Sequence, residues 1–177
     1  MRLTTASLPA PFAAEAGRFF GSIPYDPAAF LIDEVLEIDI AATRVRARLD
    51  TTKRDLPMLA HQRGDPRIHP PHVPGPVLVQ VTGMLGLVHA YFMHGVRFDE
   101  GWIGYGARIH QADFKRLVRL GPPLELESVE TRARIQPERH IVRYEFRFVQ
   151  EGALCYFGDQ TATWLRGRAE AGEAGRG

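Results

Sequence analysis

His61, Gly75 and Gln80 fall in one stretch whose residue types suit chemistry on a polarised carbonyl. The stretch reads His61-Gln62-Arg63-Gly64-Asp65-Pro66, then Arg67-Ile68-His69-Pro70-Pro71-His72-Val73, then Pro74-Gly75-Pro76-Val77-Leu78-Val79-Gln80. A neutral imidazole titrates near working pH, so His61 can take a proton. A glycine N–H at a helix N-terminus points outward and favours a developing negative oxygen, which fits Gly75. Gln80 completes the set differently: an amide donates a hydrogen bond but has no proton to give at neutral pH. Where the reaction needs an acid at that place, its loss costs on the order of 10² to 10⁴ in rate.

Simpler roles compete at each position. His61 can be an ordinary loop residue, and Gln80 can satisfy a loop carbonyl. Asp65 reads as a brace that accepts backbone N–H groups within the loop. His69 and His72 with His61 suggest a metal cluster, but their spacing matches no closed zinc pattern and no cysteine stands nearby, so no metal is expected. His89, His94, His110 and His140 read as surface or strand residues rather than ligands, and Tyr91, Phe92 and Met93 as core or interface. Lys115 and Arg116 can steer an acidic partner or a phosphate, or cap a solvated strand end. No phosphate-cradling glycine loop or dinucleotide fingerprint is present, and no cofactor is expected.

The elements that must position these residues follow from periodicity. A helix is expected from Pro76, where a missing N–H costs nothing, to about Gly95, a residue suited to a left-handed cap. It is apolar on nearly every side, so one sheet cannot cover it, and a second subunit is the expected remaining cover. Gly83 and Gly86 would let another backbone, or the sheet, come close. Before the helix, 30–38 reads as a strand with a buried face, and 44–49 alternates charged and apolar residues as a half-buried strand does. After it, 102–115, 124–135, 141–150 and 154–165 read as strands separated by Gly121-Pro122-Pro123, Gln136-Pro137-Glu138 and Glu151-Gly152. In 143–148 the aromatics share one face and the charges the other. The expected class is α+β, an antiparallel sheet wrapped around one long central helix.

Length and composition bound the rest. A chain of 177 residues, 45% apolar, can build one sizeable core. The net charge of +1 argues against a nucleic-acid partner held by phosphate neutralisation. A single Cys155 excludes an intrachain disulfide and fits a reducing, cytoplasmic setting. No signal peptide is evident, and the apolar run over 77–93 reads as a buried helix rather than a membrane span. Residues 1–16 read as a flexible segment, 17–166 as one domain and 167–177 as a disordered tail.

Four stretches together resemble the bacterial β-hydroxyacyl-acyl-carrier-protein dehydratases of the hotdog superfamily. They are Ile23-Pro24 with Phe30-Leu31-Ile32-Asp33-Glu34-Val35-Leu36-Glu37; His61-x-x-Gly64-Asp65-Pro66; Pro74-Gly75-x-Val77-Leu78-Val79; and Asp113-Phe114-Lys115-Arg116-Leu117-Val118-x-x-Gly121-Pro122-Pro123-Leu124. The resemblance implies a hotdog homodimer, or a dimer of dimers, with acyl-thioester tunnels at the subunit interface. His61 falls on the family's catalytic histidine, Gly75 on its oxyanion glycine and Gln80 on its catalytic Asp or Glu. Asp65, His69, His72, Pro74, Val79, Phe114, Lys115 and Arg116 are the substrate-binding positions it suggests. The loop between Pro66 and Pro74 is longer than the family's, and Pro76 removes a helix-start N–H. The implied activity is 3-hydroxyacyl dehydration or its reverse, with carrier protein or coenzyme A as the thioester. Hydrolysis of an acyl thioester and a non-catalytic acyl-binding subunit are the alternatives.

Overall fold

The computed structural model describes residues 7–53, 56, 58–59, 61–63 and 65–167. The expected tail therefore lies outside the described residues, apart from Gly167, as do Gly64 and residues 1–6. A 3-10 turn, Ala10–Glu15, leads into helix α1, Ala16–Ser22. Strands β1, Glu34–Asp39, and β2, Arg44–Leu49, follow, then the short β3, His72–Val73, and helix α2, Gly75–His94. After a 3-10 turn, Phe98–Glu100, come five strands: β4, Trp102–Phe114; β5, Val118–Arg119; β6, Leu124–Gln136; β7, Arg139–Gln150; β8, Ala153–Arg166. Six strands form one antiparallel sheet in the order β1-β2-β6-β7-β8-β4, and β3 pairs with β5 in a separate ribbon. The α+β class is thus the observed one, with α2 lying across one face of the sheet.

The alternating patterns decide which face meets α2. On β7, Val142, Tyr144, Phe146 and Phe148 are buried, while Arg143, Glu145 and Arg147 face solvent. Val77, Val81, Leu85 and Val88 of α2 are almost fully buried against this face. Helix α2 is long and apolar enough to cross a membrane, with a mean hydropathy of 1.4, but two-thirds of that window is buried within the protein. Its end is as expected: Gly95 takes φ 65°, the left-handed cap that glycine adopts without a Cβ penalty.

Three segments differ from the sequence reading. Residues 30–33 precede β1 rather than belong to it: Phe30, Leu31 and Ile32 are all buried, and three consecutive buried residues cannot alternate across a sheet. Asp33 fixes this entry, accepting from the Asp50 N–H at 2.6 Å and pairing with Lys53. The N-terminal segment is structured from Ala10 onward. Phe12 packs edge-on against Phe92 with ring centroids 5.3 Å apart, and Tyr91 donates to Glu15 at 2.9 Å. His140 is a strand residue, as expected, and is buried in β7, whereas His89 is buried on α2 and is neither a surface nor a strand residue. His89 Nε2 lies 2.7 Å from Ser128 Oγ, and the His140 ring lies 4.5 Å from that of Trp102.

Candidate active site

Helix α2 starts at Gly75 because Pro74 caps it in an extended conformation and Pro76 cannot donate in any case. As the first helical residue, Gly75 has an N–H with no intrahelical partner. Phe114, at the end of β4, lies over Gly75, where a Cβ would come 2.9 Å from Phe114 Cε1. Only glycine fits under that ring without displacing it.

The loop before the helix is tied down by Gln62, which pairs with the backbone of His72 as a strand would. Its Nε2 donates to the His72 carbonyl at 2.5 Å, and its Oε1 accepts the His72 N–H at 3.0 Å. His61, next in sequence, is consequently on the exposed side. Asp65 braces the turn: its Oδ1 accepts the Arg67 N–H at 2.9 Å, and its carbonyl accepts the N–H groups of Ile68 and His69. His72 Nδ1 is 3.0 Å from the Pro70 carbonyl.

Three cavities lie near the start of α2, the outer one against the loop that precedes the helix and the other two along the helix itself. The outer one, about 520 Å³, is lined by Met58, His61, Gln62, His69, His72 and Pro74, among others. The middle one, about 820 Å³, is lined by His72, Gly75, Val79, Phe114, Lys115 and Arg116. The inner one, about 290 Å³, lies between α2 and strands β4, β7 and β8, with Val79, Gln80, Thr82, Tyr144, Gln160 and Trp164 in its wall. His72 borders the outer and middle spaces, and Val79 borders the middle and inner ones, so the three adjoin in sequence. Pro76, Gln80 and Gly83 are exposed one helical turn apart and form the open stripe of α2.

Of the expected site residues, the structure brings Gly75, Val79, Phe114, Lys115, Arg116 and His72 around one space. It does not bring His61 to Gln80 within a chain, because they line different cavities. Lys115 is engaged by Asp113 at 2.5 Å, which holds that carboxyl below its usual range. An inner polar relay was not among the expected features. Thr82 Oγ1 donates to Gln160 Oε1 at 3.0 Å, and Gln160 Nε2 donates to the Tyr156 hydroxyl at 3.1 Å. Burial raises the Tyr156 pKa. Gln160 sits in a run that reads only as an amphipathic strand, so no one-dimensional signal separates it from its neighbours.

The dehydratase heterocomplex ApeI:P from Xenorhabdus doucetiae superposes with a TM-score of 0.55 at 15% identity, covering 86% of this chain and 90% of that one. A thioesterase from Haemophilus influenzae superposes with a TM-score of 0.53 at 15% identity, covering 81% and 85%. The fold is the hotdog. A glutamine-to-alanine variant of a thioesterase from Pseudomonas aeruginosa is also similar, with a TM-score of 0.51, 14% identity and 84% coverage of each chain. No protein-family model matches the sequence, and no curated protein matches it. At these identities the likeness lies in the hotdog architecture, and the chemistry has to be argued from the side chains.

Proposed function

We propose that this hotdog protein is a homodimeric acyl-thioester enzyme that interconverts 3-hydroxyacyl and enoyl thioesters. The observation that carries the reading is the adjoining series of cavities along the N-terminal half of α2, with a free helix-start N–H at Gly75 and Gln80 in the inner wall. A thioester carbonyl at Gly75 would be polarised by the helix N-terminus. His61 of one chain would remove the proton from the carbon next to that carbonyl. The enolate oxygen would be held at Gly75, and the imidazolium would return the proton to the 3-hydroxyl, which leaves as water while the double bond forms. Gln80 would orient that hydroxyl, or the incoming water in the reverse direction, with no need to supply a proton. One histidine thus does both proton transfers.

This scheme needs His61 from one chain near Gln80 of another. Support comes from β4, an edge strand exposed along nearly all its length, with Ile103, Tyr105 and Ile109 each more than half exposed. A long, unpaired apolar edge is a template for pairing with a second copy. Arg116, beside the middle cavity, suits the phosphate of a carrier-protein or coenzyme A arm. A fatty-acid or polyketide type of substrate and a cytoplasmic setting complete the proposal.

A second reading, hydrolysis of the thioester, is favoured by Gln80 itself, since an amide can orient a water for His61 to activate. One experiment separates the two. Purified protein is incubated with 3-hydroxyacyl and enoyl thioesters while enoyl absorbance and free thiol are followed. Absorbance change without thiol supports the first reading, and thiol release supports the second. Silence in both, with acyl thioester still bound, leaves only an acyl-binding subunit.

A further inference from the structure

The inner cavity holds one buried donor that the protein itself does not satisfy. The Tyr144 hydroxyl and the Trp164 indole N–H, on residues 1% and 3% exposed, have no hydrogen-bond partner among the described residues beyond each other, and with the indole N–H turned to the phenol oxygen the Tyr144 O–H is left without an acceptor. Both residues line the cavity, which Gln80 borders from its outer side. A buried donor left unpaired loses its hydration without replacement, so such a group in a folded protein calls for an occupant. The remaining polar groups nearby are already engaged in the Thr82–Gln160–Tyr156 relay.

Glycines border the mouth of this space. Gly83 of α2 and Gly106 of β4 are exposed, and a Cβ on either would meet nothing within 4 Å, so the cavity opens on the face that the proposed second copy would close. Trp164 closes the far side: its ring lies over Gly104, its cross-strand partner, and 3.8 Å from where a Cβ would stand on Gly86. Six residues of helix separate Gln80 from Gly86, roughly 9 Å along the axis at ~1.5 Å per residue. An acyl chain entering past Gln80 would therefore meet the unpaired donor well beyond its reacting carbons.

Resting on the acyl-thioester reading above, we propose that the inner cavity selects acyl chains that carry an acceptor oxygen near their distal end, held by the Tyr144 hydroxyl while the Trp164 indole N–H donates to that hydroxyl's oxygen. A plain hydrocarbon chain would fill the same volume but leave the Tyr144 O–H buried and unpaired. A site built to hydrogen-bond an oxygen discriminates strongly against an analogue that lacks it.

The test is equilibrium binding by calorimetry to dodecanoyl-N-acetylcysteamine and its 10-oxo counterpart, each also titrated into Tyr144→Phe and Trp164→Phe. The 10-oxo thioester is expected to bind about tenfold tighter to the natural protein, with the preference lost in the variants. Equal affinities for the two thioesters would overturn the proposal and leave a water as the partner of this donor, while the acyl-thioester reading stands. Absence of binding by either thioester would overturn both. A preference that survives in both variants would assign the selectivity elsewhere and also contradict the proposal.

Discussion

Gln80 stands exposed on α2 at the rim of the inner cavity, where the resembling family carries an acid. Replacing the amide with a carboxyl restores a group able to share in proton transfer, so Gln80→Glu is expected to raise dehydration or hydration by roughly tenfold or more. His61→Ala should lower it by at least about 10². Turnover of an enoyl thioester measures both, and a neutral His61→Ala would remove this residue from the chemistry. His89 gives a second test, away from the site. Burial pushes its pKa down to about 4, whereas an unfolded histidine titrates near 6.5. Between those values the unfolded chain binds more protons than the folded one, so stability falls as pH drops through that window, by up to roughly 3 kcal/mol. His140 is lowered by burial too and acts in the same direction. Melting curves at pH 7.5 and 4.5 should show the loss, and His89→Gln should shrink the difference; an unchanged pH dependence would contradict the assignment. His61, His69, Gly75 and Gln80 were legible as candidates because their types are unusual in such a stretch. The Tyr144, Gln160 and Trp164 cluster was not, since nothing in a strand pattern distinguishes an inward tyrosine with a partner from one without.

Elements were legible where one physical rule dominates. Helix α2 runs between a proline that tolerates the first turn and a glycine that takes the left-handed cap, and both limits were readable. The long strands carried clean alternation, and their limits in the structure fall within two residues of the expected ones for β6, β7 and β8. Residues 30–33 failed because consecutive buried residues imitate a strand. The N-terminal 3-10 turn was not legible because Phe12 and the Phe19 that follows it are anchored by Phe92 and Tyr91 of α2, which are distant in sequence. Packing at the β4–β8 pair yields a prediction at this scale. A methyl group at Gly104 would run into the Trp164 ring, and overpacking of this kind costs about 1–3 kcal/mol. Gly104→Ala should therefore lower the denaturant midpoint, and Gly106→Ala, where a Cβ meets nothing, should change it far less. Equal effects would show that Trp164 does not rest on Gly104.

At the scale of the whole molecule, the open stripe of α2 and the exposed edge of β4 are the two surfaces that the proposed second copy would cover. Carboxylates on that edge would have to be buried on association, so a Tyr105→Asp and Ile109→Asp double variant is expected to halve the mass measured by light scattering and abolish turnover. A variant that remains at full mass would place the interface elsewhere. The proposed site joins His61 of one copy to Gln80 of the other. Subunit mixing reports on that arrangement directly. His61→Ala and Gln80→Ala proteins, each nearly inactive, are unfolded together, refolded and assayed on an enoyl thioester. If each site joins the two residues across chains, half of the refolded dimers are mixed and each carries one intact site, so activity should recover to about a quarter of the natural protein's. Recovery no greater than the sum of the two parents would contradict a site shared between His61 of one chain and Gln80 of another.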